Sequence, residues 1–325
     1  VIADHLSSAP VTSDLAAAHF GDPAAVQRDL VSVRDFVRFA VTQFERAQLF
    51  YGHGTDNAFD EAMTLVMQWL RLPFDQAAVM LDARLVEHER IALIEAIRQR
   101  CMERLPLPYI VGEAWFAGRT WEVDRHVLIP RSPIAELIES GFEPWLGGRY
   151  PERILDLCTG SGCIGIACAL AFDEAEVVLS DISPEALAVA RRNIARHGVG
   201  DRVTAVQSDL FGALQGERFA LIVSNPPYVD ARDMDELPPE FRHEPRLALA
   251  AGDDGLDLVR MILREAADHL THDGLLVVEV GNSWEALERT FPEVPFTWIE
   301  FERGGHGVFA LDRQQLVEYA AVFGA

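Results

Sequence analysis

The sequence predicts an α/β protein, a doubly wound and mostly parallel sheet preceded by a helical bundle, on two observations. From Arg153 onward short apolar runs alternate with helical stretches; the runs fall at residues 154–157, 177–179, 203–206, 221–223 and 275–280. Alternation of this kind builds a parallel sheet covered by helices on both faces. Before about Leu105 the apolar residues recur with helical period instead, as at Val33, Val37, Ala40, Val41 and Phe44.

Each element follows in order. Two more helical stretches run over 59–70 and 86–105, completing a bundle over residues 1–105. Pro106 and Pro108 are expected to end its last helix. Residues 106–133 read as a β-hairpin connector, with strand-like runs at 109–116 and 120–123 around Ala117-Gly118. Pro130-Arg131-Ser132-Pro133 then leads into a helix from Ile134, which opens the sheet domain, 134–325. Helices over 184–196 and 256–270 separate its strands. The tail, 296–301 and 307–311 around Arg303-Gly304-Gly305, reads as a hairpin that adds an antiparallel strand.

Composition removes several function classes. The net charge is −23, from 51 acidic residues against 28 basic ones, all of them arginine. From Pro106 onward 36 acids face 18 arginines, for −18. Enzymes that grip DNA or RNA carry a basic face, so no direct nucleic-acid binding is expected, whereas a basic partner suits this chain. The absence of lysine excludes a lysine-based covalent mechanism. Cys101, Cys158, Cys163 and Cys168 have no zinc-like spacing and read as packing residues, so no metal is expected. The apolar runs are strand-sized. Asp4, His5 and Asp14 interrupt any leader pattern, so a soluble, cytoplasmic protein with no membrane contact is expected.

The segment Ile154-Leu155-Asp156-Leu157-Cys158-Thr159-Gly160-Ser161-Gly162-Cys163-Ile164-Gly165 opens the sheet. Its glycines allow a tight turn and close approach to a ligand. With Asp181 downstream it also satisfies the dinucleotide fingerprint, which leaves a nicotinamide or flavin enzyme open. Three features favour S-adenosyl-L-methionine, with S-adenosyl-L-homocysteine as product. Asp156 lies inside the strand, where class I methyltransferases use an acid near the methionine end of the cofactor; an anionic pyrophosphate disfavours a charge there. Asp181 ends the second strand and is placed to accept from ribose hydroxyls, since Ser183 before Pro184 already serves as the helix cap. Ser208-Asp209-Leu210-Phe211 follows the third strand, where an acid commonly meets the adenine amine and an apolar residue covers its ring. The expected cofactor residues are Asp156, Cys158, Thr159, Gly160, Ser161, Gly162, Asp181, Ile182, Asp209, Leu210 and Asn225.

Ser224-Asn225-Pro226-Pro227-Tyr228 directly follows the fourth run, outside the carboxyl end of a strand where α/β folds bind ligands. Two prolines surrender their N–H groups, Asn225 adds a side-chain carbonyl, and Tyr228 offers a flat face. Acceptors of this kind match a planar –NH₂ group, and Asn225, Pro226, Pro227 and Tyr228 are the expected catalytic residues. The candidate targets are an exocyclic amine of adenine or cytosine and the amide of a protein glutamine. Asp230, Asp233, Asp235, Glu236, Glu240 and Glu244 nearby disfavour a phosphate-bearing substrate.

Beyond these motifs, Arg242-His243-Glu244-Pro245, Leu247-Ala248-Leu249, Gly252, Asp254-Gly255-Leu256 and Glu279-Val280-Gly281-Asn282 complete a pattern. Together with Asn225-Pro226-Pro227-Tyr228 it resembles the HemK/Prm family of protein-(glutamine-N5) methyltransferases over almost the whole chain. The resemblance implies a class I methyltransferase fold with a seven-stranded, Rossmann-like sheet and an N-terminal helical domain for substrate recognition. Pro130-Arg131-Ser132-Pro133-Ile134-Ala135-Glu136, Tyr51-Gly52-His53-Gly54-Thr55-Asp56-Asn57 and Phe296-Thr297-Trp298-Ile299-Glu300-Phe301 are similar to one branch. That branch acts on the basic large-subunit (50S) ribosomal protein L-three; the other acts on peptide-chain release factors. His53 reads as structural. Arg131 and Glu136 read equally as substrate contacts or a structural ion pair, and His243 and Glu244 as a solvated loop.

Overall fold

A computed structural model describes residues 23–324; the N-terminal positions Asp4, His5 and Asp14 lie outside the described residues. The chain divides into two compact units, one ending at Val111 and one from Gly112.

In the first unit the expected helices form over Val33–Arg46, Ala58–Trp69 and Glu87–Arg98. Ser32 caps the first, accepting from the Asp35 N–H while the Asp35 carboxylate accepts from the Ser32 N–H. Phe36, Ala40, Phe44, Leu65, Val66, Leu93 and Ile97 fill their common core. The third helix runs on through a π-helical turn, Gln99–Glu103, and ends at Arg104 in the left-handed region. A strand was expected from Tyr109, but Leu107–Val111 is helical. Pro106 and Pro108 sit at a helix start, where a missing N–H and a fixed φ cost nothing, so they begin an element instead of leading into a strand.

In the second unit β1 (Glu113–Phe116) and β2 (Arg119–Glu122) pair antiparallel. Ala117 and Gly118 both have positive φ, which matches the right-handed twist of a two-residue hairpin. The expected connector does not stand apart, because Trp121 is fully buried in the same cluster as the sheet residues Ile154, Val177 and Leu179. Asn193, also fully buried, ties the hairpin down. Its Oδ1 accepts from Glu122 N (2.8 Å), and its Nδ2 donates to Glu122 O (3.0 Å) and Ser161 O (2.9 Å).

The sheet comprises β3 (Arg153–Leu157), β4 (Glu176–Asp181), β5 (Val203–Gln207), β6 (Phe219–Ser224), β7 (Leu270–Glu279), β8 (Thr297–Trp298) and β9 (Val308–Asp312). Among the described residues their order is β5-β4-β3-β6-β7-β9-β8. Neighbours from β5 to β7 pair parallel, and β9 runs antiparallel between β7 and β8, as the tail predicted. Ile154, Val177, Leu221 and Val277 feed one buried face; Leu155, Leu157, Ile222 and Val278 feed the other. Chain order reverses between β3 and β6, the topological switch that opens a crevice at the strands' carboxyl ends. No helix among the described residues is long and apolar enough to cross a membrane.

Replacing Asn193 by Ala strands the Glu122 and Ser161 backbone groups inside the protein. We expect a loss of about 1–3 kcal/mol, seen as a lower urea midpoint at unchanged slope. An unchanged midpoint would mean that Trp121 packing alone holds the hairpin.

Candidate active site

Loops after β3, β4, β5 and β6 converge on a cavity of about 400 Å³. Its floor is the glycine loop. Asp156, near the end of β3, is fully buried; its Oδ2 accepts from the Thr159 hydroxyl and from Gly165 N at 2.8 Å. Thr159 N donates to Ser180 O (2.9 Å) and Gly160 N to Asp181 Oδ2 (2.9 Å), which fastens the loop to β4. Gly162 has φ +81° and caps the helix Cys163–Ala171. A Cβ at Gly165 would lie 2.3 Å from Leu179 and 2.7 Å from Asp156 Cβ, so helix and strand approach as closely as they do because this residue has no side chain.

Of the expected cofactor residues, Cys158, Thr159, Gly160, Ser161, Asp181, Ile182, Asp209, Leu210 and Asn225 line the cavity. Asp156 and Gly162 do not. The Asp156 carboxyl lies beneath the loop, where Oδ2 holds the loop's shape, and its Oδ1 is buried without a hydrogen-bond partner. Burial pushes its pKa up to about 7, against the two hydrogen bonds that lower it. Burial likewise pushes the thiols of Cys158, Cys163 and Cys168 well up, which keeps them protonated, as packing residues are.

Asp181 Oδ1 also accepts from Ser183 N (2.9 Å), while the Ser183 hydroxyl caps the helix Pro184–His197 through Ala186 N (3.1 Å). The Asp181 carboxyl therefore reaches the cavity without being spent as the cap, and burial raises its pKa. Ile182 is 47 % exposed, an apolar side chain laid open along the cavity wall.

Among the expected catalytic residues, Asn225 and Pro227 line the cavity and Pro226 and Tyr228 do not. The Oδ1 of Asn225 is buried and has no hydrogen-bond partner. Ser224 Oγ donates to Leu157 O (2.6 Å), binding the turn to the glycine loop. Tyr228 is corrected from a stacking face on the cavity to a brace beside it. Its hydroxyl donates to Glu279 Oε1 (3.0 Å), its carbonyl accepts from Ser283 Oγ (2.7 Å), and its ring lies where a Cβ on Gly281 would be. Glu279 is buried at the end of β7 and also accepts from the Ser132 hydroxyl. Burial raises the pKa of Glu279, and burial beside Glu279 raises that of Tyr228.

Arg131 lines the cavity and pairs with Glu244, Nη1 to Oε1 at 2.9 Å. Glu244 Oε2 also accepts from Ile129 N (2.9 Å), and the Arg131 guanidinium lies 5.1 Å from the Phe241 ring centroid. Glu244 is thus corrected from solvated loop to buried anchor. His243 is half-buried on the turn Pro239–His243, away from the cavity lining. Glu136 accepts from Glu302 N and Arg303 N (2.9 Å each) and tethers the β8–β9 connection. His53 is buried in the first unit. The segment read as an acidic rim is thinner than its sequence, because Glu240 is buried along with Glu244 and Asp230 caps the helix Ala231–Glu236. Ser132, Glu279, Arg125, His126 and Leu247 were missed as site residues. Of these, Ser132, Leu247 and Glu279 stood in motifs that drew notice, and Arg125 and His126 did not.

The sheet order, the glycine loop after β3 and the Asn-Pro-Pro turn after β6 define a class I, Rossmann-like methyltransferase, and the family model "Methyltransferase small domain" matches residues 146–252. The chain is 47 % identical over 302 residues to the ribosomal protein uL3 glutamine methyltransferase of Francisella tularensis subsp. tularensis, covering 91 % of this chain and 96 % of that one. It is 48 % identical over 298 residues to the Xanthomonas campestris pv. campestris protein of the same name, covering 92 % and 96 %. It therefore belongs to the family of ribosomal protein uL3 glutamine methyltransferases. Among solved structures, the hMettl16 catalytic domain in complex with the MAT2A 3′UTR hairpin 1 is a distant likeness. It has 17 % identity and a TM-score of 0.48, over 69 % of this chain and 79 % of that one.

The Asp156 carboxyl makes stability depend on pH. Burial raises its pKa to about 7 from the 3.8 of an ordinary aspartate, so between these values the folded state holds the extra proton. Stability is then lost as pH rises through that window. An Asp156→Asn variant should lack this slope and gain on the parent by on the order of 4 kcal/mol at most across the window. Urea unfolding at several pH values measures it; a constant difference would mean an Asp156 that ionises normally.

Proposed function

We propose that the protein transfers a methyl group from S-adenosyl-L-methionine to the side-chain amide nitrogen of a glutamine in ribosomal protein uL3. The unpartnered Asn225 Oδ1 beside the cavity carries the reading, because a buried acceptor left without a donor costs stability unless a ligand supplies one. A primary amide has two such donors.

The cavity suits the cofactor. Asp181 offers carboxylate oxygens for ribose hydroxyls, Ile182 and Leu210 offer apolar faces for a base, and the exposed Asp209 offers an acceptor for an exocyclic amine. Thr159, Gly160 and Ser161 bring backbone close to the ligand. When bound, the cofactor supplies a methyl group made electrophilic by its sulfonium.

The protein's part is positioning and electrostatics. An amide nitrogen is a weak nucleophile because its lone pair is delocalised into the carbonyl. Asn225 Oδ1 accepts from the amide N–H, and Pro226 and Pro227 present no N–H to compete for that acceptor. Acceptors aimed at those hydrogens stabilise the positive charge that develops on nitrogen. The N-alkylated amide is acidic and sheds its proton readily, so no strong base is needed. Glu279 and Tyr228, bonded to each other beneath the turn, keep Asn225 in place. The substrate assignment is supported by the relatives' name and by a net charge of −23, which suits a basic ribosomal protein.

Three measurements follow. Asp181→Ala should weaken S-adenosyl-L-methionine binding by about 1.5–3 kcal/mol in calorimetry, the scale for hydrogen bonds to a charged group; equal affinity removes Asp181 from the cofactor site. Asn225→Ala should bind the cofactor normally yet turn over roughly 10²–10³ more slowly, and a parent-like rate sinks the amide mechanism. Offered purified uL3 and a peptide-chain release factor together, the enzyme should leave its methyl group on a uL3 glutamine, as located by mass spectrometry. A methyl group on the release factor alone would overturn the substrate.

A further inference from the structure

The first unit carries a second concavity, of about 790 Å³, whose residues take no part in the chemistry above. It lies between the start of the helix Ala58–Trp69 and the turn Phe74–Gln76. Phe59 and Phe74 stand over it 58 % and 51 % exposed, and Met63 and Thr64 continue the lining. Among the described residues its charged lining consists of Asp56 and Asp60, both exposed, and no basic residue lines it. Two solvated phenylalanines at one hollow are unfavourable for an isolated protein, since each forgoes the gain of burial.

The wall is built to stay in place. Asn57 caps the helix through Asp60 N (2.9 Å), and its Nδ2 donates to the carboxylates of Asp56 (2.6 Å) and Asp60 (2.7 Å). This aligns the two acids while leaving each with unused acceptor sites. Behind them the Thr55 hydroxyl donates to Glu61 Oε2 (2.6 Å), and Glu61 forms a buried ion pair with Arg100. Arg100 also donates to Phe50 O (3.0 Å) at the start of the same loop. A hollow held this rigidly loses little entropy when something fills it.

We propose that this groove docks a basic segment of the uL3 substrate, taking an arginine or lysine side chain between Phe59 and Phe74 with its charged end on Asp56 and Asp60. Aromatic faces attract a cation and cover its aliphatic stem, and paired carboxylates accept its N–H groups. A nucleic acid is disfavoured by the same two acids. The proposal rests on uL3 being the substrate and adds where, outside the amide pocket, the protein grips it.

The test uses the full chain, S-adenosyl-L-methionine and purified uL3, comparing the parent with Phe59→Ser/Phe74→Ser and Asp56→Asn/Asp60→Asn. Cofactor affinity and the urea midpoint confirm that each variant is folded. Both should raise KM for uL3 by about tenfold or more, the scale of losing a central aromatic or charged contact, with kcat within about twofold. Added salt should raise the parent's KM more steeply than that of the Asp56→Asn/Asp60→Asn variant. If the parent methylates uL3 and both variants keep its KM, the groove is not the docking site. The same holds if Phe59→Ser/Phe74→Ser only converts a dimeric enzyme to monomer in sedimentation, since the groove then holds a second copy. A parent that leaves uL3 unmethylated overturns the substrate assignment and this proposal with it.

Discussion

A carboxylate buried inside a parallel sheet is costly unless its hydrogen bonds are made, and Asp156 makes two of them into the loop that forms the cavity floor. Those bonds reach forward to Thr159 and to the first turn of the next helix, so the glycine loop closes over the residue that precedes it. The neighbouring strands take their places from the same frame. Gly160 and Thr159 bond to the end of β4, and Ser224 bonds back to Leu157. Because parallel register fixes where each strand stops, the positions of Asp181 and Asn225 are set largely by pairing of Leu157 with Ser180 and Ser224. The loops need little rigidity of their own.

Further acids extend this frame. Glu279 binds Ser132 and Tyr228, and Glu244 binds Arg131 and the Ile129 amide, so two carboxylates pin residues 129–132 beside the catalytic turn. Neither is a surface charge. The same holds for Glu61 in the first unit. Glu244 and Glu61 are each matched by an arginine, so these buried pairs add nothing to the net charge of −23, and most of the other acids remain at the surface. Steering of a basic protein stands on that remainder, of which the exposed Asp235 and Glu236 are part.

Local patterns were legible in the sequence, and distant pairings were not. Alternating apolar runs marked the five parallel strands of the main sheet, and the tail's two runs marked the other two, because each signal lies within six or so residues and is driven by burial. The Ala117-Gly118 turn and the Ser183 cap were equally local. Failures came where an apolar stretch with prolines suits two elements: residues 109–111 have strand-like composition but follow two prolines placed to start a helix. The other failures were of role. Glu244 and Arg131 are 113 residues apart, Ser132 and Glu279 147 apart, and no periodicity links them. Tyr228 shows the consequence. Its place after Asn-Pro-Pro suggested contact with the substrate, whereas its hydroxyl is committed to Glu279, a partner visible only once β6 and β7 lie side by side.

The amide pocket leaves a question of selectivity that its own chemistry cannot answer. Every glutamine presents the same –CONH₂ group, and the acceptors we propose around Asn225 would recognise that group alone. Contacts to the reacting amide strengthen as charge develops, so they raise turnover for any glutamine that arrives. Contacts far from it are equally strong before and during methyl transfer. They lower KM for one protein without changing the chemical step, which is how one protein is chosen among many that share a functional group. An enzyme of this design therefore needs a gripping surface separate from its catalytic turn. The acid-flanked aromatic groove on the helical unit has the rigidity, the exposed apolar area and the charge that such a surface requires for a basic partner.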